Sequence, residues 1–207
     1  MAANPISGLP TYVDTETGPQ ENGTEGSVSV TEQKIILSSS DGETTFPLSA
    51  VADIRVGHVP DILGPVPSEK VPVTIAFSSD STLSVALIAN QEAVAEKFAL
   101  RLIKEILDGT TIRVKHPARV GDSDPKSSFE QGVVSVYPDR LHFDTGQDAQ
   151  IETDNVRGFK QTRKTVQGAQ KPLVAIDFVR DGTLFRSLLQ AHDPQITSVL
   201  GRFLQYT

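Results

Sequence analysis

The chain repeats itself. Gly26-Ser-Val-Ser-Val30 returns as Gly132-Val-Val-Ser-Val136, and Lys34-Ile-Ile-Leu37 returns as Arg140-Leu-His-Phe143. Residues 46–54 return as residues 151–159, with Val156 answering Val51. Val73, Ile75 and Phe77 are answered by Val174, Ile176 and Phe178, and Asp80-Ser-Thr-Leu83 by Asp181-Gly-Thr-Leu184. At the opening of each copy, Leu9-Pro-Thr-Tyr-Val13 is matched with His116-Pro-Ala-Arg-Val120. One misfit stands out: Arg186 occupies the place of Val85. A chain of 207 residues that plays one series twice is expected to fold as two small units of one design.

The content of one repeat then decides the fold class. Val28 and Val30 alternate with serines, and the apolar run from Ile35 to Leu37 comes soon after, as in a hairpin. Asp41-Gly42 is a turn dipeptide, because glycine accepts the positive φ of a tight hairpin. Residues 44–48 and 51–56 read as further strands, with Pro47 suited to an edge or a strand end. The run His58-Val-Pro-Asp-Ile-Leu-Gly-Pro-Val-Pro-Ser68 reads as loop, because its prolines break both helix and central strand. Alternation resumes over residues 73–77 and 83–87, and Asn90 is expected to be the N-cap of a helix.

From residue 91 to 107 the period changes. Val94, Phe98, Leu102 and Ile106 recur every fourth residue, widened by Ala95, Ala99 and Ile103, and Gly109 is a natural stop. The second copy closes likewise: Asp193-Pro194 opens a helix with Ile196, Val199, Leu200, Phe203 and Leu204 on one face. No helix lies between strands, which excludes a parallel α/β sheet. The expected class is therefore mostly β with two helices (α+β). The architecture resembles a tandem pair of pleckstrin-homology-like antiparallel barrels, each closed by a C-terminal helix. A pair of small antiparallel sandwiches is the alternative. The boundaries predicted are a partly disordered segment over 1–25, with 6–14 as a candidate first strand, then domains over 26–109 and 110–207.

Composition narrows the function. The net charge of −7 argues against nucleic acid, whose phosphates need a positive field. The charge is uneven: residues 1–25 hold four acids and no Lys or Arg, while residues 110–207 hold 13 basic and 11 acidic side chains. An anionic partner should prefer the second half. The absence of cysteine rules out disulfides and fits a reducing, cytoplasmic setting. The sequence offers no membrane span and no basic, apolar leader.

No catalytic constellation emerges, so the protein is expected to be non-enzymatic and without cofactor or metal. His58, His116, His142 and His192 lack ligand spacing, and the acids cluster at turns. One basic group does stand out. Arg157, Lys160, Arg163 and Lys164 precede Gly168, and Lys171 lies just beyond it. These five are the candidate partner-binding residues, the plain alternative being a solvated loop. Lys115, His116, Pro117 and Arg119 are the candidate interdomain residues, within a joint at residues 108–121 expected to be ordered.

That joint also carries a resemblance. Gly109-Thr-Thr-Ile-Arg-Val-Lys-His-Pro-Ala-Arg-Val-Gly121 is similar to a signature of the archaeal taxis protein CheF family. So are Thr45-Phe-Pro-Leu-Ser-Ala-Val-Ala-Asp-Ile54 and Leu200-Gly-Arg-Phe-Leu204. The resemblance implies an adaptor joining the phosphorylated response regulator CheY and other Che proteins to the archaellar motor switch proteins. A module binding a membrane surface or an anionic ligand through the basic loop is the second reading.

Overall fold

Runs in which apolar and polar residues alternate form the strands, and every pairing among the described residues is antiparallel. The computed structural model describes residues 6–15, 23–79, 82–119, 129–145, 148–166, 169–191 and 193–206. The chain divides into two units, Met1–Glu105 and Ile106–Thr207.

The first unit holds β1 (Ile6–Thr15), β2 (Thr24–Val30), β3 (Lys34–Ser39), β4 (Gly42–Pro47), β5 (Val51–Val56), β6 (Val71–Ser79) and β7 (Thr82–Asn90). Their order in the sheet is β4-β3-β2-β1-β7-β6-β5, and α1 (Glu92–Leu107) comes next in the chain. The second unit holds β8 (Thr111–Arg119), β9 (Glu130–Val136), β10 (Arg140–Asp144), β11 (Asp148–Glu152), β12 (Val156–Val166), β13 (Ala169–Arg180) and β14 (Thr183–Ala191). Its order is β11-β10-β9-β8-β14-β13-β12, the same series, closed in sequence by α2 (Pro194–Tyr206).

The α+β class agrees with the expectation, but neither sheet closes into a barrel. β4 and β5 are the two ends of one sheet, and β11 and β12 the two ends of the other. Short 3-10 turns at Leu48–Ala50 and Thr153–Asn155 join these end strands. Such a turn redirects the chain instead of folding it back as a hairpin, so the end strands share no ladder.

Within each sheet the alternation buries one face. Val28, Val30, Ile35, Leu37, Val73 and Ile75 are buried in the first, and Val134, Val136, Leu141, Phe143, Val174 and Ile176 in the second. Two glycines at matching places permit the packing. A Cβ on Gly26 would lie 2.2 Å from the Ser38 carbonyl oxygen, and one on Gly132 would lie 2.6 Å from Thr145 Cγ2 and 3.0 Å from the Asp144 carbonyl oxygen. The repeat of this glycine thus reflects a close backbone approach at the same point in both sheets.

The copies align differently at their opening than the sequence match suggested. Val13 stands opposite Ile88 in β7, and Val114 stands opposite Leu189 in β14. Gly26 faces Thr11, and Gly132 faces Ile112. Tyr12-Val13-Asp14 therefore corresponds to Arg113-Val114-Lys115, and the match with residues 116–120 is corrected. Local similarity around a proline misled it, whereas cross-strand pairing decides position.

Helix α1 buries Ala95, Phe98, Ala99, Leu102, Ile103 and Leu107, while Val94 and Ile106 are only half-buried. A row of every fourth residue drifts about 40° per step around a helix of 3.6 residues per turn, so its two ends leave the buried stripe. Asn90 is also corrected. It ends β7, its Oδ1 accepts the Gln91 N–H and its Nδ2 donates to the Pro10 carbonyl, so it ties β1 to the helix approach rather than capping the first turn. At α2 the expected cap is present, with Asp193 Oδ1 accepting the Gln195 N–H at 2.8 Å.

After α1 the chain is bonded at once to β9. Gly109 takes φ +78 and donates its N–H to the Val134 carbonyl, and the Val134 N–H donates to the Thr110 carbonyl. Asp108 Oδ1 accepts the Val136 N–H at 3.0 Å.

Candidate functional site

The basic residues of the second half gather on one hairpin. β12 and β13 are long strands, joined only through residues 167 and 168. Their register sets Lys160 opposite Ala175, Arg163 opposite Pro172 and Lys164 opposite Lys171. The last pair puts two cations at directly facing positions. Like charges there destabilise a hairpin unless an anion lies nearby.

β12 is also an end strand, with no neighbouring strand on its outer edge among the described residues. Lys160, Arg163 and Lys171 are exposed. The side chain of Lys164 lies outside the described residues. Arg157 is exposed too, but its Nη1 donates to the Asp154 carbonyl at 3.0 Å and the Val156 carbonyl at 3.3 Å. It braces the 3-10 turn as well as adding charge.

The five residues do not share one face. Beyond the irregularity between Val156 and Gly158, residues of opposite parity point to opposite sides. Lys160 and Lys171 fall on the side of Ala175. Arg163 falls on the other, with Gln161, whose Nε2 would lie 2.7 Å from a Cβ on Gly201 of α2. Helix α2 packs across β12, β13 and β14 on that side. The hairpin therefore presents cations along an edge and both faces, an arrangement suited to a broad acidic surface rather than to a small pocketed anion.

The four candidate interdomain residues fall in β8. Lys115 stands opposite Leu188 of β14, and Arg119 opposite Phe185. His116 and Pro117 occupy the irregularity between those pairs. The side chains of His116, Pro117 and Arg119 lie outside the described residues.

Cross-strand order reveals a row that sequence reasoning missed. Lys160, Ala175, Leu188 and Lys115 are successive partners across β12, β13, β14 and β8. The next row contains Gly158, Asp177, Arg186 and Ala118. Arg186 donates through Nε to Asp177 Oδ1 at 2.6 Å and through Nη2 to Oδ2 at 2.7 Å. That hydrogen bonding raises the guanidinium pKa above its ordinary value. The signal was present, because Asp177 stands where Ala76 stands in the first copy: the misfit of Arg186 is one half of a paired change.

In the first unit the matching place is covered. Residues 57–70 connect β5 to β6, and Val59, Leu63 and Val66 of this loop pack against Leu87 and Ala89. Asp14 Oδ2 accepts the Gly64 N–H at 2.9 Å, and the Thr74 hydroxyl donates to the His58 carbonyl. The loop expected from its prolines is thus a fastened cover.

Two open antiparallel sheets, each with one helix after its last strand and a cationic hairpin on the second, define a tandem-sheet α+β protein. The chain belongs to the family described as archaeal chemotaxis signal transduction system protein F, whose model matches residues 7–207. It is similar to taxis protein CheF2 of Halobacterium salinarum, with 28 % identity over 194 residues, covering 93 % of this chain and 67 % of that protein. It is also similar to taxis protein CheF1 of the same organism, with 26 % identity over 182 residues, covering 87 % of this chain and 61 % of that one. The chain thus spans roughly two thirds of the length of these relatives. It is a chemotaxis signalling protein by family.

Proposed function

We propose that the protein is a non-enzymatic adaptor that works in the cytoplasm, joining Che signalling proteins to the archaellar motor switch. In this reading the phosphorylated response regulator CheY docks on the β12–β13 hairpin through Arg157, Lys160, Arg163, Lys164 and Lys171. The observation that carries it is the gathering of these cations on one end hairpin, in a protein whose net charge is −7. Membership in the chemotaxis family supports the class of partner. A field of this kind acts mainly on the rate of encounter, because exposed ion pairs are individually worth only about 0.2–1 kcal/mol. The pleckstrin-homology likeness belongs to this proposal too, supported by the seven-strand order and terminal helix of each unit.

The test is titration of phosphorylated response regulator against wild type and the triple variant Lys160→Glu, Arg163→Glu, Lys164→Glu. The triple variant is expected to associate more slowly at low salt, with the difference shrinking at high salt as screening grows. Equal affinity and on-rate at both salt levels would leave the hairpin a solvated face. Pelleting with anionic liposomes, with no response regulator bound, would favour the lipid-surface reading.

A further inference from the structure

The two copies differ over the outer face of β13 and β14, the side turned away from α2. In the first unit this face is occupied by the chain's own loop. Leu87 and Ala89 are fully buried beneath Val59, Leu63 and Val66, and Val85 is buried as well. In the second unit only residues 167 and 168 separate β12 from β13, too few to form a counterpart of that loop. The counterparts are accordingly more open: Leu188 and Ala175 are half-buried, and Arg186 is exposed.

The chemistry of the face has changed with its cover. Asp14, which receives the loop's Gly64 N–H, has Lys115 as its counterpart. Thr74, which donates to the His58 carbonyl, has Ala175. An acceptor has become a cation, while the apolar centre is kept by Ala175 and Leu188 and flanked by Lys160 on the far strand. A second observation lies two residues along. Gln190, the counterpart of Ala89, is 7 % exposed, and its Oε1 accepts no hydrogen bond among the described residues. The first copy has only a methyl group at that position, so this unmet acceptor among the described residues is particular to the second unit.

We infer that the outer face of β12, β13, β14 and β8 binds an extended, acidic, proline-containing segment of a partner protein, seated as residues 58–68 sit on the first unit. Apolar side chains of the segment cover Ala175 and Leu188, and a carboxylate stands near Lys115 and Lys160, where the first unit has a loop N–H near Asp14. Prolines hold such a segment extended before it binds, which lowers the ordering cost. This goes beyond docking of a response regulator on the hairpin and does not depend on it. The two surfaces adjoin through Lys160 and Lys171, which lie on this face.

The probe is a synthetic peptide with the sequence of residues 57–69 carrying Gly64→Glu, titrated into the isotope-labelled full chain and monitored by NMR. Saturable shifts are expected at the amides of Ala175 and Leu188, with the unsubstituted peptide binding about two- to fivefold more weakly, as for the loss of one exposed ion pair. Leu188→Glu should abolish binding while its circular dichroism spectrum and thermal unfolding match wild type. Arg163→Glu, on the α2 side of the hairpin, should leave peptide affinity within about twofold at physiological salt, where screening confines charge effects to roughly 8 Å. The inference is overturned by non-saturable titration, by shifts confined to other strands, or by Leu188→Glu binding as wild type. Phosphatidylserine vesicles shifting these amides while the peptide does not would overturn it in favour of a lipid surface.

Discussion

Arg186 grips both carboxylate oxygens of Asp177, its direct partner across β13 and β14, at 2.6 Å and 2.7 Å. In the first unit the same two positions hold Ala76 and Val85, also direct partners. An apolar pair and an exposed ion pair thus solve one place in one fold, beside Leu87, which the first unit's loop covers, and Leu188.

A double-mutant cycle measures that exchange. Asp177→Ala and Arg186→Val, made singly, should each destabilise the second unit by about 0.2–1 kcal/mol, the range for a partly exposed pair. Made together they should cost less than the sum, since neither charge is left alone. Strict additivity in chemical denaturation monitored by circular dichroism would show the pair to be inert.

The glycines of β2 and β9 give an ordered pair of outcomes. Gly26→Ala drives a Cβ into the Ser38 carbonyl, so backbone must move, at a cost of about 1–3 kcal/mol typical of overpacking. Gly132→Ala meets the Thr145 methyl first and should cost less, because a side chain yields more easily than backbone. Thermal unfolding checks the order, and the reverse order would refute this account of the close approach.

The cover on the first sheet can be released. Asp14→Ala removes the acceptor of the Gly64 N–H, and Leu63→Asp puts a charge against Leu87 and Ala89. Both variants should be cut faster than wild type within residues 57–70 under limited proteolysis, with Leu63→Asp the more sensitive, since desolvating a carboxylate costs more than losing one hydrogen bond. Unchanged cutting would show that the loop is held by other means.

Amide exchange tests the chain after α1. Gly109, Val134 and Val136 should exchange slowly, as their N–H groups are bonded to the Val134 carbonyl, the Thr110 carbonyl and Asp108 respectively. Asp108→Ala should speed exchange at Val136 and cost about 1 kcal/mol. Fast exchange at all three amides in wild type would mean that this stretch is a loose tether.

What the sequence determined by itself was local and periodic. Two-residue alternation marked strands such as Val73 to Phe77, four-residue spacing marked α1 and α2, and Asp193-Pro194 marked a helix start. These signals survive in the fold because each depends on neighbours a few residues away. The duplication was legible for the same reason, and with it the identical strand order of the two sheets. The basic cluster was visible as composition, but its geometry was not. Lys160 and Arg163, three apart on one strand, lie on opposite sides by alternation alone, but which of them shares a side with Ala175 is decided by pairing with distant residues of β13. Likewise Asp14 and Lys115 correspond only through their partners Leu87 and Leu188. Whether a face is covered is decided by tertiary structure, because a loop's seat is set by what it packs against. The Asp14 carboxylate helps fasten residues 57–70 over Leu87, whereas only residues 167 and 168 separate β12 from β13, too few to form a counterpart of that cover over Leu188.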